Sequence, residues 1–422
     1  MIERALLVVI ELGRHATWSL SDEEQELAEL VRSCGGRPIE VVRCKREAPS
    51  PTYFVGQGKA EEIAASAHER QAQIVIFNEE LSPAQQRNLQ KLFKIKTIDR
   101  TQLILDIFAQ RARSQEGKVQ VELAQLNYAL PRLAGLGPVL SRLGGGIGTR
   151  GPGETMLETD RRHIRTRILR LQRELKTLEQ RRAATRKQRH ERQTPTVALV
   201  GYTNAGKTTL LNALTDAGAA AENRLFTTLD PLSRRYVLPN HQTVIFSDTV
   251  GFLHRLPHHL IEAFHATLEE VVQADLLIHV LDASHPQALE YAQAVRDVLA
   301  EIGATEKLML TALNKMDHVH DAQSLRALTR VCAPAVTISA KTAAGLDQLV
   351  DWVSQHLTNG LVDIDITLPL NCLEWLHAIY TEGRVHRRED HSAGVHVVAS
   401  VPQRLQARLT AALRASPQHF TA

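Results

Sequence analysis

The residues Gly201-Tyr202-Thr203-Asn204-Ala205-Gly206-Lys207-Thr208 spell G-x-x-x-x-G-K-[ST]. Binding a run of phosphates takes backbone N–H groups that can close around oxygen, the positive end of a helix, and a cation that reaches outward. This stretch offers all three. Its glycines free the backbone to curl, Lys207 can reach the β- and γ-phosphates, and the Thr208 hydroxyl can hold Mg²⁺. The apolar residues 197–200 come before it, and Leu210, Leu211, Ala213 and Leu214 follow at helical spacing. The loop is therefore predicted to join a strand to a helix.

Three later stretches extend the same chemistry. Asp248-Thr249-Val250-Gly251 ends the apolar run 244–246. An Asp there can bind Mg²⁺ through water, and the glycine N–H can meet the γ-phosphate. Asn314-Lys315-Met316-Asp317 ends the run 308–313. A carboxylate at that point can accept N1–H and the exocyclic amine of guanine, a donor pair that adenine lacks. Ser339-Ala340-Lys341 follows residues 336–338, and a backbone N–H there can cap the guanine O6. All four stretches fall at the C-terminal ends of predicted strands, where open α/β sheets bind ligands. Their order and context point to GTP and GDP, with Mg²⁺, as the bound species.

Phe226-Thr227-Thr228-Leu229-Asp230 lies where a γ-phosphate-sensing loop belongs, and Thr228 can give Mg²⁺ a second hydroxyl. Lys207, Thr228 and Gly251 are the candidate catalytic residues. Phe252 stands where Ras-like proteins place a water-orienting Gln, so hydrolysis by the isolated chain is expected to be slow. Asn204 is a candidate ligand for a monovalent cation such as K⁺ beside the phosphates. The segment with His254, His258 and His259 has no zinc spacing and reads as a second switch leading into a helix.

The elements that must position these residues divide into four predicted domains. Residues 1–115 alternate strand-like runs (5–11, 39–44, 74–77, 95–98) with helices, which implies a parallel sheet covered by helices. Ser21 with Glu24 reads as a capping box, Ser82-Pro83 as a helix start and Thr101 as another cap. Tyr53-Phe54-Val55-Gly56-Gln57-Gly58-Lys59 is either a short phosphate or RNA grip or a plain glycine turn before a helix. Residues 116–193 carry two apolar seams, Val119, Leu123, Leu126, Leu130, Leu133 and Ile164, Ile168, Leu171, Leu175, Leu178. Matching seams predict an antiparallel helical hairpin, with Pro131 kinking or ending its first helix near Leu130. Its tip, residues 135–153, holds eight glycines, with Arg142 and Arg150 flanking the densest run. Bare backbone and arginine together suit an RNA surface. The polar, basic residues 187–192 read as a tether into the next domain.

Residues 194–358 are the predicted nucleotide domain, a Ras-like doubly wound sheet. Residues 359–422 read as a small α+β appendage with a basic loop at Arg384, Arg387 and Arg388 and a last helix opened by Pro402. The fold class is α/β, multidomain. The net charge of +3 conceals an asymmetry: residues 154–193 hold thirteen Lys/Arg and six Asp/Glu, a net of +7, which leaves −4 on the rest of the chain. That block predicts a polyanion partner. No apolar run reaches the length of a membrane span. Four cysteines without metal-ligand spacing, and no export signal, predict a cytoplasmic protein; peripheral membrane association is compatible with that reading.

With these residues in view, the chain resembles the HflX family of ribosome-associated GTPases, in the Obg–HflX group of the TRAFAC class. The match rests on residues 53–62, on the distinctive loop 144–155 (Gly-Gly-Gly-Ile-Gly-Thr-Arg-Gly-Pro-Gly-Glu-Thr), and on 201–211, 226–231, 248–252 and 314–317. The resemblance implies a GTPase whose GTP form binds the large ribosomal subunit and its rRNA. The glycine loop would reach towards the peptidyl-transferase region, and the ribosome would be split or its subunits kept apart, often under stress. An apolar residue at position 252 is typical of the family. Thr208-Thr209 replaces the more common Ser-Thr and keeps the hydroxyl, and Thr227 replaces a common Ala. A monomer is expected. Two other readings of the residues stay open: a ribosome-assembly or RNA-processing GTPase, and a signalling switch whose hairpin binds protein.

Overall fold

The structure, a computed structural model, describes residues 3–13, 19–133, 152–191, 194–215, 225–226, 232–240, 242–253, 265–319, 321–357, 361–392 and 394–415. The chain forms two compact units, one of Met1–Gln180, Glu222–Asp230 and Leu253–Thr267, the other of Arg181–Ala221, Pro231–Phe252 and Leu268–Ala422.

The first unit is built on a four-stranded parallel sheet, ordered β2-β1-β3-β4. Its strands are β1 (Arg4–Leu12), β2 (Arg37–Arg46), β3 (Ile74–Phe77) and β4 (Lys96–Asp99). Residues 5–10 of β1 are all fully buried, as expected of a central strand covered on both faces. Leu6, Val8 and Ile10 pack with Ala60, Ile63, Ala67, Leu89 and Phe93, which lie on α2 (Gln57–Glu69) and α3 (Pro83–Phe93). Helices α1 (Leu20–Ser33) and α4 (Arg100–Arg111) pack on each other.

Two caps differ from the expectation. Helix α1 is capped by Ser19, whose N–H donates to Asp22 at 3.1 Å, and Glu24 is paired with Arg43 at 2.7 Å instead of with Ser21. Helix α4 is capped by Asp99, which accepts from the Gln102 N–H at 2.9 Å, leaving Thr101 buried in the first turn.

The hairpin forms from α5 (Gln115–Arg132) and α6 (Pro152–Glu191). Gln115 bonds Glu174 and Glu122 bonds Arg167, so the helices run antiparallel. Val119, Leu123, Ile168 and Leu171 form the seam, flanked by Leu126, Leu130, Ile164 and Leu175. Pro131 lies inside the last turn of α5, and the helix stops at Arg132, just beyond the expected Leu130. The expected tether at 187–192 instead lies largely within α6, a 40-residue helix that runs to Glu191. Arg162, Arg165, Arg170, Arg173 and Lys176 are exposed, the basic outer surface that the spacing predicted.

In the second unit a six-stranded sheet is ordered β10-β9-β8-β5-β7-β6. Its strands are β5 (Thr196–Val200), β6 (Leu232–Val237), β7 (Thr243–Asp248), β8 (Leu276–Asp282), β9 (Met309–Asn314) and β10 (Ala335–Thr337). All pairings are parallel except β6 with β7. Helices α7 (Lys207–Thr215), α8 (His265–Gln273), α9 (Ala288–Glu301), α10 (Ala322–Val331) and α11 (Leu346–His356) connect and cover it. A smaller antiparallel sheet, β11 (Leu361–Pro369), β12 (Arg384–His391) and β13 (Gly394–Pro402), is ordered β11-β13-β12. Its inner face packs Val395, Val397, Ala399 and Val401 against Ile379 of α12 (Glu374–Glu382) and Leu405 and Leu409 of α13 (Gln403–Ala415). The predicted basic loop at Arg384, Arg387 and Arg388 is thus the edge strand β12. Charges suit an edge strand because they discourage further pairing, and they hide its alternation from a hydrophobicity reading.

Candidate nucleotide-binding site

The loop Gly201–Thr208 joins β5 to α7, as its flanks predicted. Its glycines are required by close approach. Gly206 has φ +97°, and a Cβ there would fall 2.3 Å from Nδ2 of Asn314; at Gly201, φ +154°, it would fall 2.2 Å from the Val280 carbonyl oxygen. The space that a side chain would occupy is already filled by neighbouring strands.

Asn314 explains part of that crowding. Its Nδ2 donates to the Ala205 carbonyl at 2.8 Å, and its Oδ1 accepts from the Ala340 N–H at 2.9 Å. One buried amide therefore bridges the phosphate-type loop and the Ser339-Ala340-Lys341 turn. The Ser339 hydroxyl donates to Oδ1 of Asp317 at 2.8 Å, and that bond, ahead of any other cause, holds the Asp317 carboxyl below its usual range. Asp317 is thereby fixed as an ionised acceptor. Lys315 lies at φ +61° with its Nζ 2.6 Å from Asp282 at the end of β8, and the Met316 N–H bonds the Ile338 carbonyl at 3.2 Å. The chain thus brings three separated motifs together at the C-terminal ends of β5, β9 and β10.

At the other end of the loop, Nζ of Lys207 donates to the carbonyls of Gly201 and Tyr202 at 3.0 and 2.9 Å. Burial pushes its ammonium down to about 8, with Asp248 acting the other way. The Thr208 hydroxyl donates to Oδ2 of Asp248 at 2.7 Å. Thr249 is buried and donates its hydroxyl to the Leu199 carbonyl at 2.7 Å, and Val250 is buried beside it. Two backbone bonds zip this segment to the loop: Phe252 N–H to the Gly201 carbonyl at 3.1 Å, and Thr203 N–H to the Phe252 carbonyl at 2.9 Å. The Phe252 ring is fully buried. Asn204 adopts φ +62°.

Sequence reasoning missed several contributors. Tyr291 on α9 stacks on Tyr202 with ring centres 4.0 Å apart, and His285 stacks on Tyr291 in turn. Asp282 ends an apolar strand just as Asp248 does, a signal that was available. Nothing local marks Tyr291. Of the predicted switch, Phe226 packs its ring on Phe108 at 4.6 Å, and Leu225 donates its N–H to the Ser33 hydroxyl at 3.0 Å, both within the first unit. Thr227, Thr228, Leu229 and Asp230 lie outside the described residues, as do Arg142 and Arg150 of the glycine-rich tip.

Four family descriptions match in order along the chain. They are the GTP-binding GTPase N-terminal region over residues 21–109, the GTP-binding GTPase middle region over 111–189, the 50S ribosome-binding GTPase over 196–315 and the HflX C-terminal domain over 325–416. The chain belongs to the HflX family of GTPases. It is 45% identical to GTPase HflX of Caldanaerobacter subterraneus over 96% of its own length and 93% of that protein's. It is 46% identical to GTPase HflX of Escherichia coli over 82% of each chain. Among solved structures, a GTP-binding protein from Sulfolobus solfataricus in complex with GDP is 26% identical, with a TM-score of 0.44, over 85% of this chain and 99% of that one. As an HflX-family member this chain is a P-loop GTPase that binds GTP and GDP, and it falls within a 50S ribosome-binding GTPase family. Among the described residues no helix is long and apolar enough to cross a membrane.

Proposed function

We propose that this chain is a GTP-switched factor of the large ribosomal subunit that splits ribosomes or blocks subunit joining, with a role in protein synthesis or stress rescue. The observation that carries the proposal is the pairing of the built nucleotide site with α6, whose exposed arginines present a basic face on a long arm. That arm suits the phosphate backbone of ribosomal RNA. The glycine-rich tip, with Arg142 and Arg150, makes the innermost RNA contact in this reading.

The site residues take these roles. Gly201 to Thr208 cradle the phosphates, and Lys207 leaves the loop carbonyls to pair with the β- and γ-phosphates. Asp317, held ionised by Ser339, selects guanine, with a backbone N–H of the Ser339-Ala340-Lys341 turn at O6 and Lys315 and Lys341 beside the base. Asn314 holds the two loops in register. The Thr208 hydroxyl and the Asp248 carboxylate, 2.7 Å apart, are hard oxygen donors that fit Mg²⁺, with Thr228 as a further hydroxyl. Bound Mg²⁺ would neutralise phosphate charge. Gly251 and Thr228 sense the γ-phosphate and couple it to the arm, and Asn204 supports K⁺. No Gln orients the water, because Phe252 is apolar and buried. Positioning and electrostatics therefore carry hydrolysis. Residues 1–115, 116–193, 194–358 and 359–422 serve as the functional domains of a cytoplasmic monomer.

Co-sedimentation with purified 50S subunits tests this. Pelleting with a non-hydrolysable GTP analogue should exceed that with GDP, and replacing Arg142 and Arg150 by Ala should reduce it while GTP affinity holds. Equal pelleting with either nucleotide would overturn the switch. Preference for precursor particles over mature subunits would move the function to ribosome assembly.

A further inference from the structure

Among the described residues, three threonine and serine hydroxyls of the nucleotide motifs are committed. Thr208 donates to Asp248, Thr249 to the Leu199 carbonyl and Ser339 to Asp317. Thr203, 6% exposed, buries its Oγ1 without a hydrogen-bond partner among the described residues. A buried hydroxyl left unmade carries its full desolvation penalty, so it persists where another state of the molecule satisfies it.

The place of the Thr203 side chain is defined by its neighbours. A Cβ built on Gly251 would fall 2.8 Å from both Cα and Cγ2 of Thr203, and 3.1 Å from Nζ of Lys207. Thr203, through its Cα and its Cγ2 methyl, therefore converges with Gly251 and Lys207, the two residues that meet the γ-phosphate in the proposed reading of this pocket. The backbone of Thr203 is pinned by its N–H bond to the Phe252 carbonyl at 2.9 Å, so its side chain has a fixed base. The Phe252 side chain brings no donor to this pocket.

We infer that the Thr203 hydroxyl is a catalytic donor, hydrogen-bonding an oxygen of the γ-phosphoryl group as that group separates from the β-phosphate. In the reaction a water oxygen forms a bond to Pγ while the bond from Pγ to the bridging oxygen breaks. The bridging electron pair goes to the β-phosphate, which leaves on GDP, and the water proton ends on the released phosphate. Thr203 transfers no proton; it stabilises the charge that shifts on the phosphoryl oxygens, the work that a preorganised donor does in a water-poor site. The inference rests on GTP hydrolysis in this pocket and is independent of any ribosome contact.

The test uses the purified full-length chain with Mg²⁺ and no ribosomes. Single-turnover hydrolysis should fall roughly tenfold to a hundredfold in T203V, which keeps the shape and removes the hydroxyl. Affinity for GDP should stay within about twofold, while affinity for GDP with aluminium fluoride falls in step with the rate. T203S should restore most of both. T203A repeats the rate loss without a branched side chain, and so separates the hydroxyl from bulk if T203V disturbs the loop. Native rates in T203V and T203A would overturn the inference. So would a T203S variant as slow as T203V, or a loss of GDP affinity in both T203A and T203S that matches the loss of rate.

Discussion

Two regions of this molecule carry a glycine-lysine turn at the start of a helix in a parallel α/β layer, and they differ in how tightly the rest of the fold holds them. In the first unit, Gly56-Gln57-Gly58-Lys59 opens α2. A Cβ on Gly58 would meet nothing within 4 Å, and Lys59 is paired with Glu62 at 2.6 Å. In the second, Gly201 and Gly206 are hemmed in by Val280 and Asn314, and Lys207 is buried against loop carbonyls. The same contrast holds for buried carboxylates at strand ends. Asp99 accepts from Leu81 N–H, Gln102 N–H, the Tyr128 hydroxyl and Arg132, and burial with the adjacent Asp99 pushes the Tyr128 phenol well above its usual range. Asp248 instead takes the hydroxyl of the predicted metal-ligand threonine. Asp99 is spent on four bonds that close its own fold; crowded glycines around a buried cation that bonds loop carbonyls mark a place built for a ligand.

The largest expected effect comes from Gly206→Ala. The added Cβ collides with Asn314 at a φ that only glycine adopts readily, so GTP affinity should fall by about a hundredfold or more, measured by calorimetry, with the cost of strain near 3 kcal/mol. Retention of native affinity would break the comparison at its strongest point.

Next is the pair of buried acids. Asp99→Ala strands Arg132, Tyr128 and two N–H groups, and should cost the first unit about 3 kcal/mol of stability with GTP affinity intact. Asp248→Ala should leave thermal stability within about 1 kcal/mol and remove Mg²⁺-stimulated hydrolysis. Chemical denaturation of both variants sharpens the distinction, and equal destabilisation would erase it.

A smaller effect is expected with pH. Lys207 is pushed down to about 8 in the free protein, so its folded value lies below its unfolded one. The unfolded chain then binds more protons between about 8 and 10, and the free protein should gain stability as pH rises through that window. Nucleotide phosphates favour the charged amine, so binding must take up a proton there. GTP affinity should weaken by up to about tenfold per pH unit above 8. Calorimetry in buffers of different ionisation heat reads the proton directly; no uptake would remove Lys207 from this role.

The smallest effect belongs to Gly58→Ala. Open space and a helical position predict up to about 1 kcal/mol of stabilisation and unchanged GTP binding, read by thermal melting. A loss of ligand binding would give the first turn a function that its surroundings do not support.

By itself the sequence determined the four nucleotide motifs, their strand-end placement and the hairpin seams, because each is written in contiguous residues or a short repeat. The residues 201–208 need only their own backbone and flanks to be read, and Val119, Leu123, Ile168 and Leu171 announce a seam through spacing alone. The charged edge strand β12 and the cap at Asp99 were hidden, since alternation is masked by charge in one and a buried partner decides the other. Only the tertiary structure decided which polar atoms are satisfied. Asn314 reaches a carbonyl 109 residues away, Phe226 finds Phe108, Asp99 finds Tyr128, and the Thr203 hydroxyl finds no partner among the described residues. Hydrogen-bond satisfaction and burial depend on atoms brought together from distant parts of the chain, and no local pattern encodes them.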